Sequence, residues 1–290
     1  MASSKARTFN GQAEVLRRWA CLADLKPRRV HAAGITPWKH LVAASQRRVR
    51  LENERLVCLL NRSAALLDPL ADPLEEDFGA HRWLCGEREE SYSDWLAWIL
   101  SRLQISSRIL AVFGDDVTHE GWGQERARIG REYPVEAGHD GHAGRVDIRI
   151  EVPGTAVIWI ELKQTSVEAA DVEKNAGYRR SQDAQHEPIK RRILVATSAG
   201  GRDYHGFEFR SWSVVCAGLR AAAVELKRDK AVTMAAMTLA FVGAVEQNIL
   251  GYPGKLRQRV TRGALISSGV EIADHLESWL SRVEGSEPHE

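Results

Sequence analysis

The alternation of apolar and polar residues between positions 144 and 164 predicts a β-hairpin. Val146, Ile148 and Ile150 alternate with charged residues, and a second apolar run follows a Pro-Gly pair and ends at Leu162. Successive side chains of a strand point to opposite faces, and a Pro-Gly pair favours a tight turn, so two antiparallel strands are expected. Because the second run is almost wholly apolar, we expect its strand to be central in a sheet and covered on both faces.

Apolar residues spaced three and four positions apart predict helices on both sides of the hairpin. The predicted helices comprise residues 11–25, 37–67, 87–103, 165–186, 217–227 and 229–250. Shorter apolar runs predict strands at 131–135, 193–197 and 207–215. This order is typical of an α/β fold, with a central mixed sheet flanked by helices and a helical N-terminal extension.

The composition is that of a globular protein with a sizeable core, since 44% of the 290 residues are hydrophobic and nine are Trp. The net charge of +1 conceals an uneven distribution. Residues 1–62 carry thirteen Lys and Arg against four acidic residues, whereas residues 68–94 carry nine acidic residues against two Arg. The basic segment is a candidate for sequence-independent contacts with phosphates, through Arg47, Arg48 and Arg50. The alternatives are a solvated helical face or pairing with the acidic segment.

The cysteine and hydropathy patterns exclude several classes of protein. The four cysteines lack the spacing of a zinc ribbon and form no recognisable disulfide framework. The first residues lack the apolar centre of a signal peptide. The longest apolar run, at 231–245, is shorter than the roughly 20 residues that span a bilayer. We therefore expect a cytoplasmic protein in a reducing compartment, with no membrane partner.

Three charged residues of the predicted hairpin are candidates for catalysis: Asp147 in the first strand, and Glu161 and Lys163 near the end of the second. Carboxylates on neighbouring strands repel each other unless a cation lies between them, and Mg²⁺ prefers such oxygen ligands. A bound divalent ion lowers the pKa of water and neutralises charge on a phosphate. The Lys163 ammonium is suited to hold that water or to stabilise the transition-state oxyanion.

Val146-Asp147 followed by Glu161-Leu162-Lys163 resembles the catalytic core of the PD-(D/E)XK nuclease superfamily, with Val146 in place of the motif's proline. The resemblance covers roughly residues 88–252 and implies a restriction-endonuclease-like core. It also implies a divalent-metal-dependent nuclease that hydrolyses phosphodiester bonds, in DNA rather than RNA. Asp147, Glu161 and the Leu162 carbonyl would bind Mg²⁺ or Mn²⁺, and Lys163 would position the attacking water. Many enzymes of this superfamily act as dimers, so the resemblance allows a homodimer.

A second part of the resemblance lies in the predicted helix at 87–103. In several branches of the superfamily the first core helix carries a Glu before a Leu-Ala-Trp-like apolar run. Glu90, followed by Leu96, Ala97 and Trp98, is similar to that element. The resemblance therefore implies that Glu90 is a third carboxylate of the metal site. The alternative is that Glu90 only caps the helix.

Basic side chains also follow the hairpin in sequence. Lys174, Arg179 and Arg180 lie on the predicted helix at 165–186 and are candidates for nucleic-acid contacts. The superfamily often has a Gln and a Tyr four positions apart on this helix. Tyr178 is present, but Lys174 occupies the position four residues earlier, so this motif is half matched.

These predictions divide the chain into a basic helical N-terminal region at 1–78, a nuclease-like domain at 79–252 and a C-terminal helical tail at 253–290. Two other functions remain open. One is a non-catalytic nucleic-acid-binding or scaffold protein that uses the basic helix. The other is a defence-associated nuclease that a partner or ligand switches through the N-terminal region. The structural alternative is a mere salt bridge between Glu161 and Lys163 at a sheet edge.

Overall fold

The fold is taken from a computed structural model, which describes part of the chain residue by residue. The described residues are 35–78, 84, 89–115, 123–135, 144–166, 178–179, 181–183, 185–198, 206–261 and 269–284. The predicted helix at 11–25, and both Lys174 and Arg180, lie outside these ranges. By their contacts the residues form two units, 1–52 and 53–290.

Among the described elements, three helices precede the five strands and four helices follow them. The helices are α1 (Ile35–Leu67), α2 (Glu89–Leu103), α3 (Ser106–Ala111), α4 (Trp212–Arg228), α5 (Val232–Asn248), α6 (Leu256–Thr261) and α7 (Gly269–Glu284), with a 3-10 turn at Pro73–Glu75. The strands are β1 (Arg128–Val135), β2 (Gly144–Val152), β3 (Ala156–Leu162), β4 (Ile189–Ala196) and β5 (Glu208–Ser211). Residues 178–179 and 181–183 are also helical. The helices predicted at 37–67 and 87–103 are confirmed as α1 and α2.

The five strands form one mixed sheet in the order β1-β2-β3-β4-β5. The β1–β2 and β2–β3 pairs are antiparallel, whereas the β3–β4 and β4–β5 pairs are parallel. The predicted hairpin is confirmed, because β2 and β3 pair with Ile148 opposite Ile160 and are joined by a turn in which Gly154 has a φ of 72°. All seven residues of β3 are buried, as its apolar run predicted. The expected α/β architecture, a mixed sheet flanked by helices, is therefore confirmed.

The strand predicted at 207–215 was too long. β5 ends at Ser211, and Trp212 is the first residue of α4. The Ser211 hydroxyl accepts a hydrogen bond from the Val214 backbone N–H at 3.3 Å, which caps the new helix. A short apolar run does not by itself distinguish a buried strand from a buried helix, and the serine cap decides the boundary here.

The core occupies both faces of the sheet. On one face Ile158 and Ile160 belong to a cluster that includes buried side chains of α2, α4, α5 and α7. On the other face Val157 and Trp159 pack with Tyr178. No helix among the described residues is both long and apolar enough to cross a membrane.

Helix α7, within the region predicted as a tail, is part of this core. Its buried residues are Ile272, Ala273, His275, Leu276, Trp279, Leu280 and Val283. Leu56 and Leu60 of α1 belong to the same cluster. Exposed ion pairs join the same two helices, since Arg55 contacts Asp274 at 2.9 Å and Arg62 contacts Glu284 at 2.6 Å. Two later arginines of α1 thus pair with acidic residues of α7.

A buried ion network crosses the helical side of the core. The Arg220 guanidinium donates to both Glu246 carboxylate oxygens, at 2.9 and 2.8 Å, and to Asp72 Oδ1 at 3.1 Å. His275 Nε2 lies 2.8 Å from Glu246 Oε1. All four side chains are buried. The network therefore ties the segment after α1 to α4, α5 and α7 through charged hydrogen bonds.

Gly218→Ala is expected to lower the free energy of unfolding by about 3 kcal/mol. Helix α4 passes so close to Val112 that a Cβ at position 218 would lie 2.3 Å from the Val112 carbonyl oxygen, a backbone atom. Urea denaturation would measure the change. Gly130→Ala is the control, since the nearest neighbours of a Cβ there lie 3.9 Å away. Alanine normally favours a helix over glycine, so an unchanged or higher stability would contradict this prediction.

Candidate active site

The hairpin brings the two predicted catalytic carboxylates together. Since Ile148 pairs with Ile160, the register continued by one residue places Asp147 beside Glu161. Asp147 Oδ2 accepts a hydrogen bond of 2.7 Å from the backbone N–H of Leu162, which fixes its side chain against β3. Glu161 is buried, with 1% of its surface exposed. Two carboxylates in this arrangement repel each other, so the site favours a cation.

Lys163 supplies positive charge at the end of β3. Its Nζ lies 2.8 Å from Glu89 Oε1 and 3.9 Å from Glu161 Oε1. Its backbone is held on both sides: the N–H donates to the Val195 carbonyl at 2.7 Å, and the carbonyl accepts from Trp212 Nε1 at 2.7 Å. The backbone of Lys163 is therefore anchored by β4 and α4, and its ammonium contacts the carboxylates of Glu89 and Glu161.

Glu89, the residue before the predicted Glu90, makes the contact with Lys163. Its second oxygen, Oε2, accepts from the backbone N–H of Gln164 at 3.3 Å. Helical spacing was the signal that could have identified it. Glu89 lies three positions before Tyr92 and seven before Leu96, both buried, and therefore shares their face of α2. Glu90 is exposed and lies at the edge of that face.

An open cavity of about 520 Å³ lies over this site. It is lined by Glu89, Glu90, Arg131, Glu132, Arg145 and Asp147. The two arginines already have acidic partners, since Arg131 contacts Asp94 and Arg145 contacts Glu132 at 3.3 Å. Of the four candidate carboxylates, those of Glu89 and Glu161 are contacted by Lys163. The cavity is acidic and suited to a small cation.

The donor atoms are those that Mg²⁺ and Mn²⁺ prefer, because the predicted ligands are carboxylate oxygens and the Leu162 carbonyl. Their excess negative charge also fits a divalent ion. Within the described ranges, however, no group of three or more His, Cys, Asp or Glu side chains is assembled closely enough to hold a metal ion. The residues therefore fit such an ion by the chemistry of their oxygen atoms and by their charge, although the described side chains do not form a complete set of metal ligands.

The predicted nucleic-acid contacts are distributed over two parts of the chain. Arg47, Arg48 and Arg50 are exposed on α1. Arg179 is also exposed and lies 3.8 Å from Asp183, one helical turn later. Together with Lys174 and Arg180, which lie outside the described residues, they remain predictions.

A buried glutamine, Gln182, lies four positions after Tyr178. The predicted motif has its Gln before the Tyr, at the position of Lys174, so it remains half matched. Gln182 Nε2 donates to the backbone carbonyls of Val157 at 3.2 Å and Arg191 at 3.0 Å. The Tyr178 hydroxyl donates to the Arg145 carbonyl at 2.6 Å. These bonds hold the helical residues against β2, β3 and β4.

No protein-family model, no curated protein and no solved structure matches this chain. The assignment of the site therefore depends on its residues and their contacts.

Proposed function

We propose that the chain is a divalent-metal-dependent nuclease with a restriction-endonuclease-like core, and that it hydrolyses phosphodiester bonds in DNA. The observation that carries the proposal is the pairing of Asp147 and Glu161 on adjacent strands, with the Lys163 ammonium 3.9 Å from Glu161. The order of elements supports it. Helix α2, three antiparallel strands, helical residues at 178–179 and 181–183, and two parallel strands follow the order that the superfamily resemblance implies.

The residues of the site have separate tasks in this proposal. Asp147, Glu161, the Leu162 carbonyl and Glu90 would hold Mg²⁺ or Mn²⁺, which neutralises charge on the scissile phosphate and activates water when bound. Lys163 orients the attacking water and stabilises the negative charge that develops on the phosphate. The buried position of Glu161 keeps competing solvent away from its carboxylate and so strengthens its electrostatic effect.

Purified protein is expected to cleave DNA with Mg²⁺ or Mn²⁺ and to lose this activity in EDTA. Supercoiled plasmid, linear duplex, single-stranded DNA and RNA would be incubated in parallel and resolved on gels. The Glu161→Ala/Lys163→Ala variant is expected to be inactive under all conditions, because it lacks a metal ligand and the ammonium.

Cleavage by the double variant at the parent rate, or cleavage that persists in EDTA, would overturn the nuclease proposal. Salt-sensitive binding without cleavage would instead favour the nucleic-acid-binding alternative. In that case the exposed Arg47, Arg48 and Arg50 would be neutralised next, and binding should be lost with them.

A further inference from the structure

We propose that Lys163 is an internal counter-ion of the carboxylate site and that Glu89 is the residue that positions it. The inference rests on the proposed use of a divalent cation, but it concerns what the chain does before that cation binds. Lys163 holds the positive charge that the carboxylates require, and a divalent ion has to compete with it. The affinity of the site for metal is then set in part by its own lysine.

Glu89 accepts two hydrogen bonds from residues at the end of β3. One oxygen accepts from Lys163 Nζ at 2.8 Å, and the other accepts from the backbone N–H of Gln164 at 3.3 Å. A single carboxylate at the start of α2 therefore binds both the side chain of residue 163 and the backbone of the next residue. This fixes the ammonium at 3.9 Å from Glu161, closer to Glu89 than to the buried carboxylate.

Burial explains why the site retains a counter-ion. Glu161 is 1% exposed, and a carboxylate removed from water is costly unless positive charge compensates it. Arg131 and Arg145, on the cavity wall, contact Asp94 and Glu132 and so have acidic partners of their own. Lys163 contacts both Glu89 and Glu161.

The same contacts imply an order of events at Lys163. While Lys163 balances the carboxylates, its ammonium is engaged by Glu89 and Glu161. Once a divalent ion supplies that charge, the attraction of Glu161 for the ammonium falls, and Lys163 becomes available to a phosphate oxygen. The lysine thus changes from a counter-ion to a substrate contact.

Calorimetric titration with Mn²⁺, without nucleic acid, tests the counter-ion directly. Lys163→Met is expected to bind Mn²⁺ at least about tenfold more tightly than the parent. The substitution removes the ammonium 3.9 Å from Glu161, whose positive charge repels the metal ion. Lys163→Arg keeps the charge and is expected to bind as the parent does. The rise in melting temperature on adding Mn²⁺ should likewise be larger for Lys163→Met than for the parent. This second measurement also works if Lys163→Met is only weakly folded without metal.

Glu89→Gln separates positioning from direct metal binding. If Glu89 positions Lys163, its loss lets the ammonium move onto Glu161 and weakens Mn²⁺ binding, and adding Lys163→Met removes that loss. If Glu89 is itself a ligand, the Glu89→Gln/Lys163→Met protein binds Mn²⁺ more weakly than Lys163→Met, by about the factor that separates Glu89→Gln from the parent, which would overturn the positioning role.

Equal or weaker Mn²⁺ binding by folded Lys163→Met, or no Mn²⁺ binding by any variant, would overturn the proposed role of Lys163 as a counter-ion. Failure of the nuclease proposal gives a different result. A parent protein that binds Mn²⁺, shows the Lys163→Met increase and yet cleaves no nucleic acid would contradict only the proposed function.

Discussion

Asp147→Asn is expected to lower the rate of DNA cleavage at least about 100-fold while the fold stays intact. The Asn side-chain oxygen can still accept the hydrogen bond from Leu162 N–H, which is 2.7 Å long in the parent protein. The shape of the site is then preserved, and only the negative charge beside Glu161 is removed. Because that charge is proposed to hold the metal and to balance it, kcat/KM with Mg²⁺ should fall, and Mn²⁺ binding should weaken in parallel.

Glu132→Gln is the matched control for this experiment. Glu132 lines the same cavity, but its charge is balanced by Arg145 at 3.3 Å, so its loss should change cleavage little. Near-parental cleavage by Asp147→Asn, or an equal loss in Glu132→Gln, would contradict the assigned role of Asp147.

Arg220→Met is expected to reduce the free energy of unfolding by about 3–5 kcal/mol, the usual cost of breaking a buried ion pair from one side. Asp72 and Glu246 would remain as buried carboxylates without their guanidinium partner. Equilibrium denaturation in urea at neutral pH measures the loss. Arg108→Met, which removes the exposed pairs with Glu225 and Asp229, should cost roughly 0–1 kcal/mol. Similar losses in the two variants would contradict the prediction.

The same network makes the stability of the protein depend on pH. Burial would raise the pKa of Glu246, but Arg220 and His275 outweigh it and lower that pKa to about 2. A carboxyl whose folded pKa is depressed stabilises the protein above its unfolded pKa, and the stabilisation is lost as the pH falls toward the folded value. We therefore expect Glu246 to contribute about 3 kcal/mol at neutral pH, lost between about pH 4.5 and 2. Arg220→Met should flatten this part of the stability profile.

Local patterns predicted the centre of the fold and the adjacency of Asp147 and Glu161. Alternation along β2 and β3 fixed the hairpin and placed Asp147 near Glu161, because strand periodicity and a tight turn leave one register that buries the apolar face. The apolar run of β3 likewise predicted its central position. These features depend on residues that are close together in the sequence, so they can be predicted from local patterns.

Contacts between distant segments could not be predicted in the same way. Glu89 and Lys163 are 74 residues apart, and no local pattern distinguishes Glu89 from Glu90 unless the buried face of α2 is assigned first. The ion pairs between α1 and α7 are equally remote in sequence. Helix α7 lies within the predicted tail at 253–290, and its place in the core depends on such remote contacts.

The packing of α1 against α7 has a consequence for the order of folding. Arg55 and Asp274 are 219 residues apart, whereas the two strands of the hairpin are neighbours in the chain. Contacts between remote segments carry the largest entropy of loop closure, so they form after local ones. During synthesis the sheet can therefore assemble while α7 is still being made, and the apolar surface that Trp279 and Leu276 will cover stays open until then. This interval is when the nascent chain most needs protection from aggregation.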